Sequence, residues 1–156
     1  MEREDMPTTS NLEIGIGDPD LSQIGSESGL SVFVVFTSVD LTLRALEKAR
    51  AMARPLGASI VIVAVQVVPF PLQLNEPPVS MEFVIRRFEE EAGKFSENTS
   101  VSAYLCRDAI EAFKRILNPK CPVVIGIVKR RWPTREERLA RKLCRAGYDV
   151  ILAKAE

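Results

Sequence analysis

Histidine is absent from this chain, which removes the side chain best suited to proton transfer near neutral pH and the commonest metal ligand. Surplus charge is absent too, since 21 Lys and Arg face 21 Asp and Glu. No cationic excess is left for general binding of nucleic acid or an anionic membrane. The three cysteines, Cys106, Cys121 and Cys144, are odd in number and show no CxxC spacing. They read as small buried hydrophobes of a reducing compartment, not as a disulfide framework or a metal site. The longest apolar run, Ile60 to Val68 broken by Gln66, falls far short of the roughly 20 residues that span a bilayer. Met1–Asp5 leads into polar sequence where a signal peptide would turn apolar. A soluble, cytoplasmic protein with no metal and no membrane contact is the expectation.

What is present is enough for one domain: 156 residues, 46% of them hydrophobic. Residues 1–30 are rich in Gly, Ser, Pro and acids. Their few apolar side chains do not offset the entropy of ordering the backbone, so a disordered N-terminal arm is predicted. Within it Leu12-Glu13-Ile14-Gly15-Ile16 alternates, and a transient addition to a sheet edge is the other reading of that patch.

From Ser31 to Glu156 the pattern is that of an ordered domain. Val32–Phe36, Ile60–Val65 (continuing towards Val68), Val101–Leu105, Val123–Val128 and Val150–Ala153 are apolar runs of strand length, as strands covered on both faces require. Between them lie amphipathic helices. Asp40 is placed to cap the first, whose stripe is Leu43, Leu46, Ala49, Ala53 and Leu56, with Pro55 and Gly57 at its end. Ser80 is placed to cap the second and Asp108 to open the third, while Thr134 and Glu137 have capping-box spacing for the fourth. Gly147 closes that last helix. Strict alternation of strand and helix predicts a doubly wound α/β fold, a parallel sheet with right-handed crossovers and helices on both faces.

Val34-Val35-Phe36, the turn through Asp40, Arg44-Ala45-Leu46, Leu56-Gly57-Ala58 and the run ending Val67-Val68-Pro69 resemble the first βαβ unit of the universal stress protein family. Val123-Val124-Ile125-Gly126 and Val150-Ile151-Leu152 resemble its fourth and last strands. The resemblance covers about residues 31–156. It implies a five-stranded parallel sheet in the order 3-2-1-4-5, a homodimer through the last strand (Val150, Ile151, Leu152), and in many members ATP binding. The nucleotide-binding members carry an acid after strand one and, after strand four, Gly-x-x-Gly followed by Gly-Ser or Gly-Thr. Here Thr37 stands at the acidic position, and Ile127-Val128-Lys129-Arg130-Arg131-Trp132-Pro133 follows Gly126 with no glycine before Gly147. A phosphate cradle needs glycines so that backbone N–H groups can approach the anion. Glu136 and Glu137, near the lost Gly-Ser position, already satisfy the helix dipole a phosphate would use.

The best remaining ligand candidate is Lys129-Arg130-Arg131-Trp132, since the loops after strands one and four open at the topological switch point. Three cations beside an indole suit an anion with an aromatic ring. Thr37, Ser38 and Asp40 face them from the first loop, with Val67 at the end of strand two and Gly126 in strand four completing the set. The plainer alternative is a solvated loop with Trp132 packed on the fourth helix and Asp40 as a simple cap. The expected function is therefore a non-catalytic regulatory or interaction domain with a degenerate nucleotide site, no cofactor, and a protein partner besides its own copy. The alternative is a sensor of an adenine nucleotide or another anion at the switch point. An enzyme is not expected, for want of a histidine, a phosphate loop or a nucleophile motif.

Overall fold

The computed structural model describes residues 12–16, 30–68, 81–92 and 99–155. The elements run β1 (Leu12–Ile16), β2 (Ser31–Val35), α1 (Val39–Ala53), β3 (Ser59–Val67), α2 (Met81–Ala92), β4 (Thr99–Cys106), α3 (Ala109–Ile116), β5 (Val123–Val128), α4 (Arg135–Arg145) and β6 (Val150–Ala155). All strand pairs are parallel, and the sheet order is β1-β4-β3-β2-β5-β6. The five strands from β2 onward take the expected 3-2-1-4-5 order. The sheet nevertheless has six strands, because Leu12–Ile16 pairs with β4 from Val101 to Leu105. A disordered arm does not describe that segment. An outer strand offers unpaired N–H and C=O groups to any extended neighbour, and that template organises a patch too short to order itself.

Two cores flank the sheet. Val32, Val34, Ile60, Ile62, Val101 and Val124 face Ala45, Leu46 and Ala49 of α1 and Ile85 and Phe88 of α2. Phe33, Val35, Val63, Tyr104, Ile125 and Ile127 face Ala112, Phe113 and Ile116 of α3 and Ala140 and Leu143 of α4. The unbroken apolar runs follow from this double cover. Phe36, just past β2, meets Phe88 edge-on at 5.3 Å between ring centroids.

Three helix starts are tied by side chains, one of them not the expected residue. Asp108 Oδ1 accepts from the Ile110 and Glu111 amides at 2.9 and 3.2 Å, and Thr134 Oγ1 accepts from the Glu137 amide at 3.3 Å. At α1 the cap is Ser38, whose hydroxyl accepts from Leu41 N–H at 3.4 Å, while Asp40 lies inside the first turn. Extended φ and ψ at Ser38 place its oxygen over the first amides; Asp40 is already helical. Leu56 is exposed because the chain tightens into a 3-10 turn over Arg54–Leu56 and leaves the apolar stripe. Cys121 is buried, Cys106 half-buried and Cys144 exposed, so the expectation of three buried thiols holds for Cys121 alone. Ser80 lies outside the described residues. Among the described residues no helix is long and apolar enough to cross a membrane, and no three potential metal-ligating side chains cluster.

Candidate functional site

The β2–α1 and β5–α4 connections meet where the strand order reverses. Their geometry is set by Thr42, which is fully buried. Its hydroxyl accepts from the Thr37 amide at 3.1 Å and donates to the Ser38 carbonyl. This clamp fixes the strand-to-helix turn and presents Ser38 and Asp40 to solvent. Gly126 supplies the other half. A Cβ there would collide with the Leu41 carbonyl and lie 2.7 Å from its carbon, so the start of α1 rests directly on β5. Gly126 therefore serves close packing, buried beneath the helix, and does not line the site.

Between the two connections lies an open crevice of about 860 Å³. Ser38, Asp40, Arg44 and Glu47 form the α1 side; Val128, Arg130, Thr134, Arg135 and Glu136 form the other. Three guanidinium groups (Arg44, Arg130, Arg135) thus face three carboxylates (Asp40, Glu47, Glu136), and the lining carries no net charge. Glu136 sits in the first turn of α4, where the helix dipole favours an anion. The Thr37 hydroxyl oxygen is buried without a hydrogen-bond partner and does not line the crevice.

The candidate cluster at 129–132 is divided. Arg130 points into the crevice. Lys129 lines a second, mostly apolar groove of about 290 Å³, walled by Ala140, Arg141 and Cys144 of α4 and floored by Ile127, Val150 and Leu152. Lys129 and Arg130 therefore open on different cavities, and the two neighbouring cations do not converge. Arg131 is exposed and lines neither cavity, and Trp132 is 76% exposed, packed neither on α4 nor in the crevice. Val67 is 43% exposed at the end of β3 and lies outside both cavities. Arg44, Glu47 and Arg135 are among the crevice residues that the sequence motifs did not point to. Asp40, Arg44 and Glu47 are spaced four and three apart on one exposed helix face, and that spacing was a readable signal.

Of the last-strand residues, Val150 and Leu152 face α4 and Ile151 packs on the α1 side. The Asp149 carbonyl bonds β5 at 2.8 Å, so by alternation the Leu152 carbonyl points to the open edge. There it accepts a hydrogen bond from Lys48 Nζ at 2.9 Å.

No family model matches the chain, and no curated protein does. Solved structures do. A universal stress protein in complex with cAMP superposes with a TM-score of 0.51 at 15% identity, over 81% of this chain and 98% of that one. The fold is that of a universal stress protein. The universal stress protein from Archaeoglobus fulgidus gives 0.48 at 16% identity, over 79% and 92%. A macrolide-efflux protein from Streptococcus pneumoniae gives 0.50 at 14% identity, over 90% of this chain and 58% of that one. Proteins with such different names share the architecture, so function has to be argued from the site. In this universal stress fold the crevice occupies the switch point, where doubly wound sheets bind ligands.

Proposed function

We propose that the chain is a non-catalytic regulatory or interaction domain, acting in the cytoplasm, whose switch-point crevice is a degenerate nucleotide site. The observation that carries this is the charge-balanced lining, with Glu136 in the first turn of α4. A triphosphate would meet as many carboxylates as guanidinium groups there, and a loop without glycines to bring backbone N–H groups close. The reading includes a protein partner and a homodimer through β6. Pairing along that edge has to displace Lys48 Nζ from the Leu152 carbonyl.

One observation favours a second reading, a sensor of an adenine nucleotide or similar anion. The crevice is roomy, at about 860 Å³, and Arg130 and Arg135 stand together on one wall; a structural neighbour holds cAMP. Thermal-shift titration with ATP, AMP and cAMP separates the two. A ligand at about 100 times its dissociation constant stabilises by roughly 2.7 kcal/mol, worth about 5–11 °C at this chain length. The regulatory reading expects no saturable shift. A saturable shift that disappears in Arg130→Ala/Arg135→Ala overturns it in favour of the sensor.

A further inference from the structure

Above β6 the core is left unfinished. Val150 and Leu152 belong to the α4 side of the sheet, yet both are only half-buried, whereas Val123, Ile125 and Ile127 on the neighbouring β5 are buried. Leu143 of α4 is fully buried in that core, and Ala140, the helix residue that lines the remaining space, offers only a methyl group. What is left open is the apolar groove of about 290 Å³. Lys129, Arg141 and Lys154 line it as well, all exposed, against one carboxylate, Glu137. Among the described residues none of these three cations is in an ion pair. Long basic side chains lay their methylene stems along apolar surface and keep the charge at the water boundary. The groove thus joins an apolar floor to a net positive rim, unlike the charge-balanced crevice.

We propose that this α4–β6 groove binds a small amphipathic anion, an aliphatic carboxylate whose chain covers Val150 and Leu152 and whose head lies among the three cations. The inference is independent of the crevice and of its ligand. An inorganic anion would leave the floor in water, and a neutral hydrocarbon would leave the rim unpaired, so a molecule with both parts answers both features. A second copy laid over the groove is the poorer occupant, because a two-fold contact presents the cationic rim to its own equivalent. Size sets the chain length. The volume equals about ten waters at roughly 30 Å³ each, and a methylene is close to a water in size, so a chain of about eight carbons fits and a long one does not.

Cys144 lines the groove and is exposed, so its thiol reports occupancy. In a Cys106→Ser chain, with Cys121 buried, alkylation of Cys144 by the neutral reagent N-ethylmaleimide is followed against octanoate, octylammonium and acetate. Octanoate at about ten times its dissociation constant should slow the reaction about tenfold, in proportion to 1 + [L]/Kd. Octylammonium and acetate should leave the rate unchanged. Hexanoate should require a concentration about 15-fold higher, since two methylenes at about 0.8 kcal/mol each are lost. Reversing the exposed rim with Arg141→Glu/Lys154→Glu should abolish protection by octanoate and confer it on octylammonium, a gain that a misfolded variant cannot give. Equal protection by octanoate and octylammonium, protection by neither, or equal affinity for hexanoate and octanoate overturns the proposal. So does protection that grows with protein concentration in the absence of ligand, which would assign the groove to a second copy.

Discussion

Gly126→Ala is the sharpest probe of how this fold is assembled. The glycine is needed for space, since its φ does not lie in the left-handed region, as those of Gly57 and Gly147 do. An added methyl meets the Leu41 carbonyl and lies 2.7 Å from its carbon. That obstacle is backbone in the first turn of α1, and it cannot turn aside as a side-chain tip would. The helix start has to lift from β5, loosening the Ser38 and Thr42 contacts that shape the crevice. Overpacking a core costs about 1–3 kcal/mol, and a backbone collision belongs at the upper end. About 3 kcal/mol lowers the melting temperature of a chain this size by roughly 6–12 °C. Gly57→Ala is the control: nothing lies within 4 Å of its Cβ, and only φ +60° opposes the change, a cost of about 1–2 kcal/mol. Calorimetry and urea unfolding of both variants give the ranking. Gly126→Ala within about 0.5 kcal/mol of the parent chain, the range of an ordinary surface change, would refute the close-packing account.

Thr42→Val strands the Thr37 amide in the β2–α1 turn, while the Ser38 carbonyl keeps the residue 42 amide as its donor, and should cost about 1–3 kcal/mol by urea unfolding; no measurable loss would mean that solvent replaces the clamp. Phe88→Ala removes a fully buried ring stacked edge-on against Phe36, for about 3–5 kcal/mol in the same assay. Burial, and then the Asp108 carboxylate, pushes the Cys106 thiol above its ordinary 9.0, and burial raises the Tyr148 hydroxyl above 10.0. Both protons are held more tightly in the folded state, so this stability is complete below pH 9.0 and is lost as pH rises through the folded values. Urea midpoints should fall across that alkaline range, and Cys106→Ala should delay the onset; a midpoint that rises there would contradict the burial argument. With 5,5′-dithiobis(2-nitrobenzoate) at pH 8, the exposed Cys144 should react first and Cys106 slowly, a ranking read from Cys144→Ser.

Patterning made the five strands from β2 to β6 legible because they are covered on both faces. Val123–Val128 falls where the apolar run lies, β2 is shifted by one residue to Ser31–Val35, and β3, β4 and β6 run one or two residues past theirs at one or both ends. Asp108 and Thr134 were legible as caps because each is the one capping residue directly before its helix. The first helix was ambiguous: Ser38 and Asp40 both qualify, and only the backbone angles choose between them. β1 was hard to see, since its order comes from the edge of β4 and not from its own composition. The site was less legible than the fold. A run of four residues with three cations suggests convergence, but Lys129 and Arg130 project into separate cavities and Trp132 into solvent. The crevice is shaped mainly by residues far apart in the chain, such as Arg44 and Arg135, and no local pattern joins them.

The central strand has a consequence for synthesis. β2 pairs with β3 on one side and β5 on the other, and Phe33 waits for Val123, 90 residues later. At about 5–20 residues per second on the ribosome, that is roughly 5–18 seconds during which Ser31–Val35, wholly buried in the finished fold, has one edge open. The nascent chain thus carries a long-lived sticky strand at its centre. A chaperone that engages emerging apolar strands should bind here until β5 is made, and slower translation should lower the yield of native protein.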